Sequence, residues 1–401
     1  MAESIRYKNS KTSHQQGKQN AVGFQALSKT IGSDIVEQIL THDDGQVGYG
    51  GTRTFTIGGQ GGGKSTFGTK FGMQSRYIEG ASKKDFTEAV ASFGNLSDDD
   101  RIDLAKTLQS MIHNETVIWR GREFDSWNVL HPDILQKFYA KERVRPLRVH
   151  VHKNSPLKFS QVDKEGNVSK IQNLDINWYK NVKELAEGIN KGGTNVIYPP
   201  IKHFMSPRLK EEINIKRNLS HADRRYLSPT EDYLVERDVF LFEIFEYLYR
   251  TNQDSKSREW YTAIIDESHD LFRANAPDIY YWIIECMVDV LVDTRKHNIS
   301  LACMTHALNL IDYRILERTS HFIWLPGAKP VKSYSNVDRR LIMKIKTGQA
   351  VVESVMDGRI GGFEFERIPA ECPRLMIEGM VNRKDIVSMD DDDFIDVGGD
   401  D

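Results

Sequence analysis

At 401 residues, with 39% hydrophobic and 28% charged residues, the chain is long enough for one large α/β domain with insertions or for two modest domains. A formal net charge of -3 excludes a global basic field for nucleic acid, so any such contact has to come from local patches. The three widely spaced cysteines exclude a disulfide framework and a cysteine metal cluster, and no apolar run approaches the about 18 residues that span a bilayer, so a cytosolic protein is expected.

Residues 1–20 are polar, mildly basic and without periodicity, and are expected to form a flexible basic arm. A helix is expected around 24–41, then a strand from Thr52 to Ile57 that runs into a glycine-rich stretch, then a helix over 64–79. Residues 82–143 read as a charged, mainly helical insertion, with a short β-like stretch at Thr116 to Trp119. Strands return at Leu147 to His152 and at Asn195 to Tyr198, with a hairpin or loop and then a helix between them over 155–190. The segment 202–230 is polar and rich in Lys and Arg, and an aromatic helix follows over 231–250. Trp260 to Asp266 is a continuous apolar strand of the kind buried on both faces of a parallel sheet. A helix over 277–297 and strands at Ser300 to Thr305 and His321 to Leu325 follow, and 333–386 closes the fold as α/β or β-rich structure. Strands alternating with helices predict an α/β fold: a mainly parallel sheet wrapped on both sides. The main α/β domain would span 21–386, and 387–401 would be an acidic, disordered tail.

The run Gly58-Gly59-Gln60-Gly61-Gly62-Gly63-Lys64-Ser65-Thr66 meets the Walker A pattern between a strand and a helix. Its glycines let backbone N–H groups turn toward phosphate oxygens at the positive end of the following helix. Lys64 would reach the β- and γ-phosphates of ATP, and the Ser65 hydroxyl would ligate Mg²⁺. A chance glycine turn before Lys-Ser rarely meets all four fixed positions. A dinucleotide site gives Lys-Ser-Thr no role and lacks the acidic ribose ligand.

Tyr261 to Ile265 is an apolar strand ending in Asp266-Glu267. Asp266 would hold the Mg²⁺ shell and Glu267 would polarise the attacking water, whereas without the phosphate loop the pair would read equally as solvated acids at a strand end. The later strand delivers Thr305-His306 at its carboxyl end, where open α/β sheets place ligand-contacting groups. Arg295 is a candidate arginine finger, with Arg273, Arg314 and Arg318 as competitors.

Three blocks, GGQGGGKST, then NVIYPP with DVFLFEIFEYLYR and YTAIIDESHDLF, then DTRKHNISLACMTHALNLIDYRILERTSHFIWL, resemble the HerA/FtsK superfamily of P-loop motor ATPases over most of 52–355. The resemblance implies a RecA-like (ASCE) core and a ring, of hexameric type, that couples ATP hydrolysis to DNA movement. It assigns Lys64 and Ser65 to nucleotide and Mg²⁺, Asp266 and Glu267 to catalysis, and Arg295 to a finger acting across a subunit boundary. The family commonly has glutamine where this chain has His306. The short architecture looks most like the genome-packaging ATPases of viruses or mobile elements, which adds double-stranded DNA and a capsid or portal-type protein as expected partners, in host cytoplasm or on a virion. Lys202, Arg208, Lys210, Lys216, Arg217, Arg224 and Arg225 make 202–225 a candidate basic loop for phosphate tracking, against the alternative of a solvated surface loop. The competing reading is a nucleotide-gated assembly or secretion ATPase that acts on proteins.

Overall fold

The computed structural model describes residues 24–42, 51–68, 77–78, 97, 112–113, 115–121, 126–127, 147–153, 155, 157–162, 167–170, 175–200, 202–219, 234–254, 259–276, 278–365 and 374–378. The arm expected over 1–20 and the tail over 387–401 lie outside them.

Short apolar runs rich in β-branched residues form the central sheet: β1 (Arg53–Ile57), β2 (Thr116–Arg120), β3 (Leu147–His152), β4 (Asp175–Tyr179), β5 (Thr194–Tyr198), β6 (Tyr261–Ile265), β7 (Ile299–Thr305), β8 (His321–Trp324), β9 (Gln349–Ser354) and β10 (Ile360–Glu364). Their spatial order is β10-β9-β8-β1-β7-β6-β2-β5-β3-β4. Every pairing from β8 to β4 is parallel, and β9 and β10 are added antiparallel beyond β8. The expected α/β architecture, a mainly parallel sheet with helices on both faces, is what the chain adopts.

Alternation along each strand sends neighbouring side chains to opposite faces, and both faces are apolar. Phe55, Ile57, Ala263, Ile265, Leu301 and Cys303 enter one core. Ile264, Ala302, Met304 and Ile323 enter the other. The first core is covered by helices, among them α3 (Val182–Gly188) through Leu185, and α5 (Arg237–Asp254) and α6 (Asp278–Asp293), whose Phe240, Ile244, Ile284, Met287 and Leu291 are buried there. The second is covered by α1 (Lys29–Leu40) through Ile35, Val36, Ile39 and Leu40. Ser28 caps α1 by accepting from Ile31 N at 3.2 Å. Gly32 lies so close to β10 that a Cβ there would stand 2.0 Å from Gly362 O. Gly362 N in turn donates to Ser28 O at 3.2 Å.

Three expectations need correction. The region 82–143 carries β2, a strand of the central sheet between β6 and β5, rather than being wholly an insertion. Its Val117 and Trp119 are fully buried, and burial outweighs the polar sequence around them. The helix after the phosphate loop (α2) is described over 64–68, and Tyr77–Ile78 is a strand, so that helix ends before 79. The basic segment is not a loop over its described part: Lys202–Phe204 is a strand and Pro207–Leu219 is a helix, α4. Pro207 suits a first helical turn, Ser206 Oγ accepts from Leu209 N at 3.3 Å, and Leu209 and Ile213 form a buried i, i+4 pair. Among the described side chains of this helix, that buried apolar pair is too little to stand out among the charges.

Candidate active site

β1, β7, β6 and β2 all point their carboxyl ends to one edge, so Gly58, His306, Asp266 and Arg120 converge there from separate parts of the sequence. The loop 58–63 leaves β1 and turns into α2. Gly63 has φ +96°, in the left-handed region that side-chained residues adopt only under strain. A Cβ on Gly62 would stand 2.9 Å from Pro326 O, so the loop seats directly on the segment leaving β8. Gly59 N donates to Pro326 O at 2.9 Å and Gly58 N to Thr305 O at 3.2 Å, which fixes the loop against both neighbouring strands. Gly59, Gly61, Gly62, Gly63, Lys64, Ser65 and Thr66 line a cleft of about 280 Å³, and Gln60 within the same run is exposed.

Lys64 is buried, and its ammonium donates to Gly58 O at 3.2 Å and to His306 Nδ1 at 3.1 Å. Burial lowers its pKa from the usual lysine value, opposed by the charges of Glu267 and Asp266. His306 Nε2 lies 2.8 Å from Glu267 Oε1. An ammonium only donates and a carboxylate only accepts, so the neutral imidazole protonated at Nε2 satisfies both partners.

Asp266 and Glu267 follow β6 directly. Glu267 has φ +46°, and its N–H donates to Asp266 Oδ1 at 2.9 Å. A non-glycine residue in that conformation has to be held there. Arg120, 2% exposed at the end of β2, supplies the hold: one guanidinium nitrogen donates to Asp266 O at 2.9 Å and Glu267 O at 3.1 Å, the other to Asp270 Oδ2 at 3.0 Å. Ser268 N donates to Met304 O at 2.8 Å and ties the turn to β7. His269 Nδ1 stands 3.4 Å from Glu267 Oε2.

Lys64 and Glu267 do not project from neighbouring strands. β7 lies between β1 and β6, and His306 fills the gap that this inserts. Arg295 sits in a single 3₁₀ turn, Thr294–His297, and its side chain lies outside the described residues. Of its competitors, Arg314 is committed to Asp312 at 2.8 Å and to Glu285, with its guanidinium 4.5 Å from the Tyr281 ring centre. Arg273 lies over the Tyr280 ring at 5.0 Å and Arg318 is exposed.

Three residues at this edge were not anticipated. Arg120 could have been noticed as a cation closing an apolar strand, TVIWR. Thr347, just before β9, and Phe365, just after β10, line the cleft without any motif to mark them. Among the described residues no group of three or more His, Cys, Asp or Glu could hold a metal ion. The oxygen donors Ser65 and Asp266 suit a hard divalent ion that takes most of its ligands from phosphate and water.

No family model matches the chain, and no curated protein matches it. Among solved structures it is similar to the genome packaging NTPase B204 of Sulfolobus turreted icosahedral virus 2 in complex with AMPPCP, at 9% identity and a TM-score of 0.36, over 79% of this chain and 99% of that one. It is also similar to VirB4 of Thermoanaerobacter pseudethanolicus, at 11% identity and a TM-score of 0.28, over 46% of this chain and 44% of that one. A third is the N-terminal domain of zonular occludens toxin from Neisseria meningitidis, at 8% identity and a TM-score of 0.26, over 80% and 96%. No described helix is long and apolar enough to cross a membrane. The mainly parallel sheet, with the phosphate-loop motif leaving β1 at its carboxyl edge, gives the chain the α/β fold of a P-loop NTPase.

Proposed function

We propose that the chain is an ATP-hydrolysing motor that moves double-stranded DNA, a genome-packaging ATPase of a virus or mobile element. The observation that carries the ATPase reading is the hydrogen-bonded line Lys64–His306–Glu267 across the ends of β1, β7 and β6. Lys64 and the loop N–H groups bind the triphosphate. Glu267 orients the attacking water and takes its proton, and the φ +46° turn clamped by Arg120 sets where that carboxylate points. His306 passes the arrival of the γ-phosphate to Glu267, because Lys64 has to exchange His306 for phosphate oxygen when nucleotide binds. Mg²⁺, held by the Ser65 hydroxyl and the Asp266 carboxylate, would neutralise charge on the β- and γ-oxygens. Arg295 is the proposed finger across a subunit boundary of a hexameric ring.

The DNA half of the proposal rests on the HerA/FtsK resemblance. Within 202–219, Arg208 lies 3.7 Å from Glu246, Lys216 pairs with Asp289, and Lys210 is buried. Phosphate tracking is therefore assigned to Arg224 and Arg225, at the far end of the same segment, with a capsid or portal-type protein as the docking partner. Steady-state ATP turnover with and without double-stranded DNA, alongside native mass, tests the whole reading. DNA-stimulated turnover by a ring supports it. Turnover that DNA leaves unchanged points to an assembly or secretion ATPase acting on proteins.

A further inference from the structure

The nucleotide-binding proposal leaves open where the base would lie, and the strand order answers this. All the groups assigned to the γ-phosphate end stand on one side of β1: His306 after β7, then Asp266 and Glu267 after β6. On the other side come β8, β9 and β10. Because β9 runs antiparallel to β8, and β10 antiparallel to β9, the start of β9 and the end of β10 return to the same edge as the phosphate loop. Gln349 pairs with Glu364 there, and Phe365 N donates to Gly348 O at 2.9 Å. Thr347 and Phe365 thus form the far wall of the cleft whose floor is Gly59 to Thr66.

Phe365 is held rather than loosely placed. Its ring meets Phe67 of α2 edge to face, with centroids 5.3 Å apart and planes at 86°. Its outer edge lies over Gly63, where a Cβ would stand 3.1 Å from Cζ. It is half-buried, and it is the aromatic residue in the cleft wall. A triphosphate laid along the loop with its γ-phosphate at Lys64 and Glu267 has its α-phosphate and sugar directed to the β8–β10 side.

We infer that Phe365, with the Thr347 hydroxyl beside it, forms a nucleobase subsite that recognises a purine ring by stacking. This rests on the nucleotide-binding reading of the same cleft. Stacking on a planar aromatic face is tolerant of the base's edge groups, so the subsite favours purines over pyrimidines by ring area.

The test compares the binding of ATP, ribose 5′-triphosphate and inorganic tripolyphosphate by calorimetry, in the wild type and in Phe365→Leu. Wild-type protein is expected to bind ATP about tenfold more tightly than ribose 5′-triphosphate. Phe365→Leu is expected to lose that margin while keeping its affinity for tripolyphosphate. Equal loss of ATP and tripolyphosphate binding in the variant means that Phe365 only props the loop, and overturns the subsite. Equal affinity of the wild type for ATP and ribose 5′-triphosphate overturns it without reference to any variant. Wild-type protein that binds tripolyphosphate but gains nothing from the nucleoside leaves the phosphate-loop reading standing and removes this one. Failure to bind any of the three removes both.

Discussion

His306 Nε2 lies 2.8 Å from Glu267 Oε1, so the residue just after β7 holds the carboxylate that follows β6. The contact places a donor on the group assigned to take the proton from water. Replacing His306 with Ala should lower turnover by about 100-fold. ATP affinity should stay within a few-fold, since Lys64 keeps the phosphates. Phosphate-release kinetics beside nucleotide titration separate the two quantities. A matching fall in affinity would make His306 part of the binding surface instead.

Lys64→Ala and Glu267→Gln should fail in different ways. The first removes the buried cation between Gly58 O and His306, and nucleotide binding should be lost with it. The second keeps shape and hydrogen bonding at the φ +46° turn but removes the base, so ATP should bind while hydrolysis falls by about a thousandfold. Near-normal hydrolysis by Glu267→Gln would exclude it as the base.

Arg120 donates to two main-chain carbonyls and one carboxylate while almost wholly buried. Arg120→Met should cost about 3–5 kcal/mol, because Asp270 and both carbonyls lose the guanidinium's hydrogen bonds. Arg120→Lys should not restore turnover, since an ammonium lacks the planar fork that spans the three acceptors. Urea midpoints give the stability, and turnover of the folded fraction gives the positioning effect. A fully active Arg120→Lys protein would show that charge alone suffices.

His150 is fully buried on β3, between Asn195 Oδ1 at 2.9 Å and Asn177 Nδ2 at 3.0 Å, and burial pushes its pKa down to about 4. An unfolded chain takes up that proton near pH 6.5, so between about 4 and 6.5 the unfolded state binds more protons than the folded one. Stability from this group is complete above 6.5 and is lost as pH falls toward 4, by about 3 kcal/mol. Urea unfolding from pH 4 to 7 should show that slope, and His150→Leu should flatten it even if it lowers stability throughout.

Much of this edge was legible because its chemistry is local. The glycine loop with Lys64-Ser65, and an apolar run ending in Asp266-Glu267, each announce themselves within a few residues. What depends on pairing between distant strands was not. No periodicity says that β7 inserts between β1 and β6, or that the five residues of β2 belong to the main sheet. Arg120 acts on carbonyls nearly 150 positions away, and its own neighbourhood carries no sign of that. The helix α4 was hidden because two buried side chains, Leu209 and Ile213, anchor an otherwise charged segment. Phe365 becomes relevant only once two antiparallel strands bring it back to the loop.

The bare backbone contact between Gly32 and Gly362 ties the amino-terminal helix to the rim of the cleft. Gly362 of β10 packs directly on α1, and Phe365 leaves β10 one residue after its last pair. A single methyl group at position 32, remote from every phosphate contact, would therefore displace the wall facing Gly63.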